Sequence, residues 1–297
     1  MTTSTTVGAT TAPAAGPAPI TEPGIYDMTN EEYHSHRYAL SSSGARKLLP
    51  PGCPAKFRWE QDNPQPVKKV FDIGNAAHKL VLGTGPELRI VDYERWDTKA
   101  AKAEVAEARA AGAIPLKRPE WEQVHAMADA LRAHPVASLL FDPGQGTPER
   151  SLFWRDEKTG VMLRARLDWL PNPRAGRLII PDYKTCASAE PERLMRAVDE
   201  FGYHQQDDWY RRGARALDLA DDDAAFVFVC QEKQAPYVVT VIEMDATARR
   251  IGAARNRRAI ERFAECTRTG HWPGYSDEIA YVSLPPWTET RDSLEYL

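Results

Sequence analysis

The sequence predicts an α+β fold, a mixed α/β arrangement with one central mixed sheet flanked by helices. Two observations carry this expectation. Between about residues 20 and 140, apolar residues recur at helical spacing between capping and proline signals. From about residue 149 the period shortens to two, giving a meander of three strands, then a long helix, two more strands and a closing helix.

The elements follow in order. Residues 1–19 are biased to Thr, Ala, Pro and Gly and read as a disordered tail. A single domain is expected over 20–297, with a helical part 20–140, a sheet-and-helix part 149–270 and a C-terminal tail 271–297. Thr29 with Glu32 three residues on is a capping-box pattern. Ser41 to Ser43 cap a short helix through Leu49, which Pro50 and Pro51 stop. Val70–Leu82 reads as a helix with Phe71, Gly74, His78 and Val81/Leu82 on one face. Residues 97–111 read as a solvated helix, and Pro119–Ala133 as another with Pro in its first turn. RSLFWRD, GVMLRARLDWL and GRLIIPDYKT read as strands, joined by turns at Lys158-Thr159-Gly160 and PNPRAG. A helix over Pro191–Ala216, strands AFVFVCQEK and YVVTVIEMD, an Arg-rich helix over Thr247–Thr267 and an irregular aromatic tail complete the chain.

Composition bounds the function. The 297 residues carry 38 Lys plus Arg against 42 Asp plus Glu, a net charge of −4. A mildly acidic chain does not coat nucleic acid with its whole surface, though a local basic channel is compatible with that total. Cys53, Cys186, Cys230 and Cys266 are isolated in sequence, with no paired spacing for zinc. Reduced thiols in a cytoplasm are the expectation. The N-terminus lacks the basic and apolar regions of a signal peptide, and no apolar run approaches a membrane span.

The informative segment is Arg164–Thr185. If the PNPRAG turn centres near residue 175, Asp168 and Asp182 are close cross-strand neighbours. Like charges are not placed opposite each other without cause, and a hard divalent cation is the simplest cause. The strand period of two puts Lys184 on the face of Asp182. Leu163, Ala165, Leu167 and Trp169 form the opposite, core-facing stripe. Spacing alone leaves a second reading, in which Asp168 and Asp182 are strand-end carboxylates paired with Arg166 and Lys184.

The wider pattern resembles a known family. IIPDYKT after RARLDWL resembles the PD-(D/E)xK nuclease signature, as Pro181-Asp182-Tyr183-Lys184. FDIGNAAHKLVL looks like the Gly-x-x-x-His helix of the RecB-type branch, with Gly74 and His78. YHQQDDWY looks like its Gln-x-x-x-Tyr helix, with Gln206 and Tyr210. LSSSGARKLL, CPAKF, ERSLFWRD, QEKQAPY and GHWPGYS resemble segments of RecE-like phage and prophage exonucleases, so that the likeness spans residues 24–290.

This resemblance implies a restriction-endonuclease-like core and a break in the long helix near Phe201-Gly202. It implies a Mg²⁺-dependent exodeoxyribonuclease, with Mn²⁺ able to substitute, that degrades linear double-stranded DNA from its ends, 5′ to 3′. The expected context is phage-type recombination, with a RecT-like single-strand annealing protein as partner and a homo-oligomeric ring around the DNA; no membrane partner is expected. His78, Asp168, Asp182 and the Tyr183 carbonyl are the implied metal ligands, and Lys184 is the implied catalytic lysine acting with Asp168 and Asp182. Gln206, Tyr210 and Arg166 are implied on the DNA side. Some relatives hold an iron–sulfur cluster on clustered cysteines, which this chain lacks, so none is expected.

Other readings stay open beside these. His78 can be a structural helical histidine, and Gln206 with Tyr210 a buried hydrogen-bonded pair. Glu149, just before the first strand, is read first as a surface residue and second as an outer-shell acid. The Arg-rich helix, with Arg268 just after it, has seven arginines against two glutamates, read first as a solvated face and second as a phosphate contact. Two other functions fit the pattern: a repair or defence endonuclease of the same superfamily, or a non-catalytic DNA-binding recombination scaffold.

Overall fold

The computed structural model describes residues 18–63, 72–173 and 176–297. The first part opens with β1 (Gly24–Tyr26), α1 (Asn30–Ser35), β2 (Leu40–Ser41), α2 (Ser42–Lys47) and α3 (Pro54–Asp62). Thr29 caps α1 by accepting the Glu32 N–H at 3.1 Å, and Ser41 caps α2 by accepting the Gly44 N–H at 3.2 Å. Next come α4 (Asp72–Leu82), β3 (Leu88–Ile90), α5 (Lys99–Ala110), β4 (Ile114–Leu116), α6 (Arg118–Ala133) and α7 (Ala137–Leu140). The expected helical part therefore also holds β1 to β4. Each is two or three residues long, too short for alternation to register. Val70 and Phe71, at the start of the expected fourth helix, lie outside the described residues.

The second part contains β5 (Gly146–Arg155), β6 (Met162–Pro171), β7 (Ile179–Cys186), α8 (Pro191–Phe201), α9 (Tyr203–Ala216), β8 (Ala225–Glu232), β9 (Val239–Glu243) and α10 (Ala246–Thr269). A last helix, α11 (Pro286–Tyr296), stands where an irregular tail is expected. Gly202 separates α8 from α9 at φ 65°, a left-handed conformation that suits glycine. The break implied by the family pattern is therefore present.

The strands form a mixed arrangement flanked by helices. One sheet has the order β1-β5-β6-β2, with β2 parallel to β6 and the other pairs antiparallel. The second runs β7-β8-β9, with β7 and β8 parallel and β9 antiparallel. A small parallel pair joins β3 and β4.

The expected β6–β7 hairpin register needs correction. Among the described residues no ladder pairs β6 with β7, so Asp168 and Asp182 are not register partners. The reason lies in the β7 amides. Alternate N–H groups of a strand point to the same side. On the side facing β6, Pro181 has no N–H, and the Tyr183 N–H is donated to the Asp168 carboxylate at 2.8 Å. A side chain has taken the place of a ladder bond. Arg174 and Ala175, at the expected turn centre, lie outside the described residues.

Two apolar clusters hold these layers. Leu163, Ala165 and Leu167 from β6, Phe226 and Phe228 from β8, and Trp209 from α9 belong to the larger. Ala76, Ala77, Met127, Trp169 and Tyr183 belong to the second, under α4 and α6. Trp209 packs edge-on to Trp154, with ring centroids 6.0 Å apart, and donates its indole N–H to the Arg164 carbonyl at 2.9 Å. That bond pins α9 over β6. On the far side of α9, the Asn256 amide bonds the Gln205 carbonyl at 2.8 Å and Asp208 at 2.9 Å.

Gly252 makes this close contact of α10 with α9 available. A Cβ at position 252 would lie 2.0 Å from the His204 carbonyl oxygen. Gly252→Ala gains about 1 kcal/mol of helix propensity. It also forces two backbones apart in a packed interface, at a cost of roughly 1–3 kcal/mol or more. The clash is expected to win: the variant should melt below the parent by several degrees in a thermal scan. An unchanged or raised melting temperature would show that this interface yields freely.

Candidate active site

The site is built where the two sheets meet. Asp168 shares the outward face of β6 with Arg164 and Arg166, while Leu163, Ala165, Leu167 and Trp169 are buried as expected. Asp182 and Lys184 share one face of β7, and Tyr183 points the other way, donating its hydroxyl to Gln231 Oε1 at 2.7 Å. The β7–β8 ladder fixes the segment from Ile179 to Cys186 without interruption.

His78 reaches this place from α4. A Cβ on Gly74 would meet Thr185 Oγ1 of β7 at 3.3 Å, so the glycine allows the helix to lie close to the strand. One turn later, His78 Nε2 stands 3.1 Å from Asp168 Oδ2. The Gly-x-x-x-His spacing thus has a local meaning: close approach, then imidazole, on one helical face.

From α9, Gln206 donates to Asp182 Oδ1 at 2.7 Å. Tyr210, one turn on, packs against Phe226 and lines the same cavity. Gln206 and Tyr210 are therefore not a self-contained pair; Gln206 orients an acidic residue. Lys184 Nζ lies 2.5 Å from Asp182 Oδ2, an ion pair at the carboxylate oxygen that Gln206 does not hold. A cavity of about 290 Å³ opens over the group, walled by His78, Asp168, Arg166, Glu149, Gln206 and Tyr210 on this side.

Electrostatics follow from two carboxylates in a dry place. Burial, then the nearby Asp168 charge, pushes the Asp182 carboxyl up to about 6, with Lys184 opposing. Burial also works against the Asp168 charge, but His78, Lys184 and the Tyr183 N–H together hold its carboxyl below the usual range. Burial disfavours charged His78, and Asp168 more than offsets this, leaving the imidazole raised. Lys184 is buried too, yet Asp182 and Asp168 raise its ammonium, so it stays protonated.

Among the described residues, no three His, Cys, Asp or Glu side chains converge as a finished metal cage. His78 and Asp168 face each other, and Asp182 is held by Gln206 and Lys184. The donor set nonetheless fits a divalent cation. It offers one imidazole nitrogen and two carboxylates, and the buried Asp182 Oδ2 atom has the Lys184 ammonium as its partner.

For Glu149 the sequence favoured the surface over a place beside the site, and the structure differs. It is not a free surface residue: its Oε2 accepts from Arg166 Nη2 at 2.6 Å, and it lines the cavity with Asp168. The available signal was its place on β5 between Pro148 and Arg150, whose partners Trp169 and Leu167 flank Asp168. The Arg-rich helix α10 also differs from a solvated face. Arg257 forms a two-pronged pair with Asp156, Arg255 donates to Gln205 at 2.9 Å, and Arg249 pairs with Glu243. Arg250, Arg258 and Arg268 remain exposed.

The raised Asp182 value predicts a pH dependence of the metal-free protein. The folded state keeps a proton up to about pH 6 that the unfolded chain, with a carboxyl near 3.8, has already released. The stability linked to this group is present below the unfolded value and lost as pH rises through about 6. In chelator, the parent should gain melting temperature relative to Asp182→Asn as pH falls from about 8 to about 5. Parallel curves for the two proteins over that range would show that Asp182 is not held near neutrality by its surroundings.

The protein's relatives bear on this geometry. A proposed exonuclease of Eubacterium rectale, known from its crystal structure, matches with a TM-score of 0.60 at 13% identity, covering 89% of this chain and 98% of that one. At that identity the likeness shows the fold alone. The crystal structure of SSO0001 matches at a TM-score of 0.29 and 14% identity over 68% of this chain and 85% of its own, too loosely to carry an argument. No curated protein matches the chain. A family match extends over residues 41–285, taking in His78, Asp168, Asp182 and Lys184, and the chain belongs to that family, the PDDEXK-like domain of unknown function (DUF3799).

Proposed function

We propose that this PDDEXK-like nuclease is a metal-dependent exodeoxyribonuclease that degrades linear double-stranded DNA from its ends, 5′ to 3′. The observation that carries the reading is the convergence of His78, Asp168, Asp182 and Lys184, from α4, β6 and β7, on one buried group beside a polar cavity. Segments so distant in sequence do not assemble two acids, an imidazole and an ammonium by local folding rules alone, and such clusters concentrate at functional sites.

Asp168, Asp182 and His78, with the Tyr183 carbonyl, would hold the cation, Mg²⁺ by preference and Mn²⁺ as substitute. When bound, the cation supplies charge neutralisation for the scissile phosphate and acidifies a water. The chain's own groups do the rest. Lys184, kept protonated by the acids beside it, donates to an oxygen of the phosphate as negative charge grows there. It acts as a fixed positive charge rather than as a base. Gln206 fixes the rotation of Asp182 through Oδ1, leaving Oδ2 for the site. Arg166 and Tyr210 line the cavity through which the strand reaches the acids.

In this reading the product is a 3′ single strand, taken up by an annealing protein in phage-type recombination. A homo-oligomeric ring would hold the duplex within a basic lumen while the exterior stays acidic, in keeping with the net charge of −4.

The test is digestion of linear and covalently closed DNA, each with Mg²⁺ and with chelator. Loss of the linear form alone, only with metal, is the expected result. Nicking of circles would make the protein an endonuclease, and no digestion of either would make it a binding scaffold. Lys184→Ala should lower turnover by about 100-fold or more, while Mn²⁺ affinity by calorimetry changes little, since an ammonium is not a ligand. Chemistry preserved at saturating metal, with affinity lost, would remove Lys184 from its role.

A further inference from the structure

Glu149 is the part of the site that the proposed reaction leaves without a task. The β5–β6 ladder pairs Pro148 with Trp169 and Arg150 with Leu167, and the Glu149–Asp168 pair between them is missing. Glu149 itself has φ 53°, in the left-handed region that a residue other than glycine rarely adopts. A ladder break beside a site re-aims a side chain. Local strain of this kind persists only where the surroundings impose it, and its presence points to function.

The surroundings here are Arg166. Its Nη2 donates to Glu149 Oε2 at 2.6 Å, and its Nη1 donates to Ser151 Oγ and to the Met28 carbonyl, both at 2.9 Å. In an unbroken ladder Glu149 would lie level with Asp168, carboxylate against carboxylate. Re-aimed, it pairs with the guanidinium. A guanidinium has five N–H donors, so these three bonds leave two. Arg166 lines the cavity beside Asp168 and His78, with 13% of its side chain exposed. The remaining donors sit on Nε and Nη2, neighbouring nitrogens whose spacing matches two oxygens of a phosphate.

The geometry points to Glu149 as a positioning residue: it holds Arg166 so that the free edge of the guanidinium takes a backbone phosphate of the nucleic-acid strand lying in the cavity beside Asp168. Glu149 itself touches no substrate. This rests on the nuclease reading above and assigns a task that reading leaves open.

The experiment measures steady-state digestion of linear DNA at saturating Mg²⁺ for the parent, Glu149→Gln, Arg166→Lys and the double variant. Glu149→Gln keeps the shape and removes the charge, and KM should rise about tenfold while kcat stays within about threefold. Arg166→Lys keeps the charge and loses the fork, with a similar rise expected. The double variant should be no worse than Arg166→Lys, because Glu149 acts through Arg166. Mn²⁺ affinity of Glu149→Gln, measured by calorimetry, should equal that of the parent.

An unchanged KM with only a lowered melting temperature would make Glu149 structural and overturn the inference. A large loss of Mn²⁺ affinity would make it a metal ligand, and additive KM losses would separate it from Arg166; either result also overturns it. If Glu149→Gln does not fold, Glu149→Asp carries the test: it keeps the charge one methylene short of Arg166 and must show the KM rise. A parent that leaves all DNA intact removes the nuclease reading and this inference together. A parent that digests DNA beside an indifferent Glu149→Gln removes this inference alone.

Discussion

Two carboxylates side by side, Asp182 buried and Asp168 partly buried, set the terms for what surrounds them. Neither can remain charged in a dry interior without compensation. The fold supplies it from several directions: the Tyr183 N–H and the His78 imidazole on Asp168, and the Gln206 amide and Lys184 ammonium on Asp182. Each donor comes with an architectural demand. The Tyr183 N–H is free for Asp168 because β6 and β7 make no ladder among the described residues, and Pro181 lacks the neighbouring amide on that side. The seam between the two sheets and the chemistry of the site are therefore one feature.

The supporting layers serve to keep that seam dry and the donors aimed. Gly74 lets α4 lie against β7, which brings His78 into reach. Trp209 fastens α9 to the β6 backbone, and Gly252 lets α10 press on the other side of α9. Gln206 is thus held on a helix that is anchored on both faces. A site built on packed helices and strands holds its groups more tightly than one on loops. Even the charged residues of α10 contribute: Arg257 clamps Asp156 at the β5–β6 turn, which keeps the strand carrying Asp168 in place.

Much of this was legible in the sequence, for reasons that differ by element. Long segments announce themselves in different ways: α6 because burial of one face repeats along the helix, and β5, β6 and β8 as apolar-rich runs bounded by turn signals. The motif residues were legible through resemblance, and the structure brings His78, Asp168, Asp182, Lys184 and Gln206 together. The β6–β7 relation was misread, because turn symmetry predicts a ladder and cannot foresee a side chain replacing a backbone acceptor. Glu149 was misread as a surface residue because its role depends on a backbone conformation that strand periodicity does not encode. The ion pairs of α10 were hidden for a similar reason. A run of arginines looks solvated until the acidic partners, Asp156 and Glu243, are placed beside it by the fold.

The central claim is that the buried acids and His78 form a cation site whose protonation is coupled to metal binding. Calorimetric titration of the metal-free protein with Mn²⁺ at about pH 6, in buffers of different ionisation enthalpy, tests it most directly. The account predicts a saturable site whose binding releases protons, since Asp182 is partly protonated near that pH and must give up its proton to coordinate. Asp182→Asn should lower the release by the share that Asp182 supplies, leaving that of His78, and weaken binding strongly. Binding with the same proton count and affinity in parent and variant, or no binding in the parent, would contradict the account.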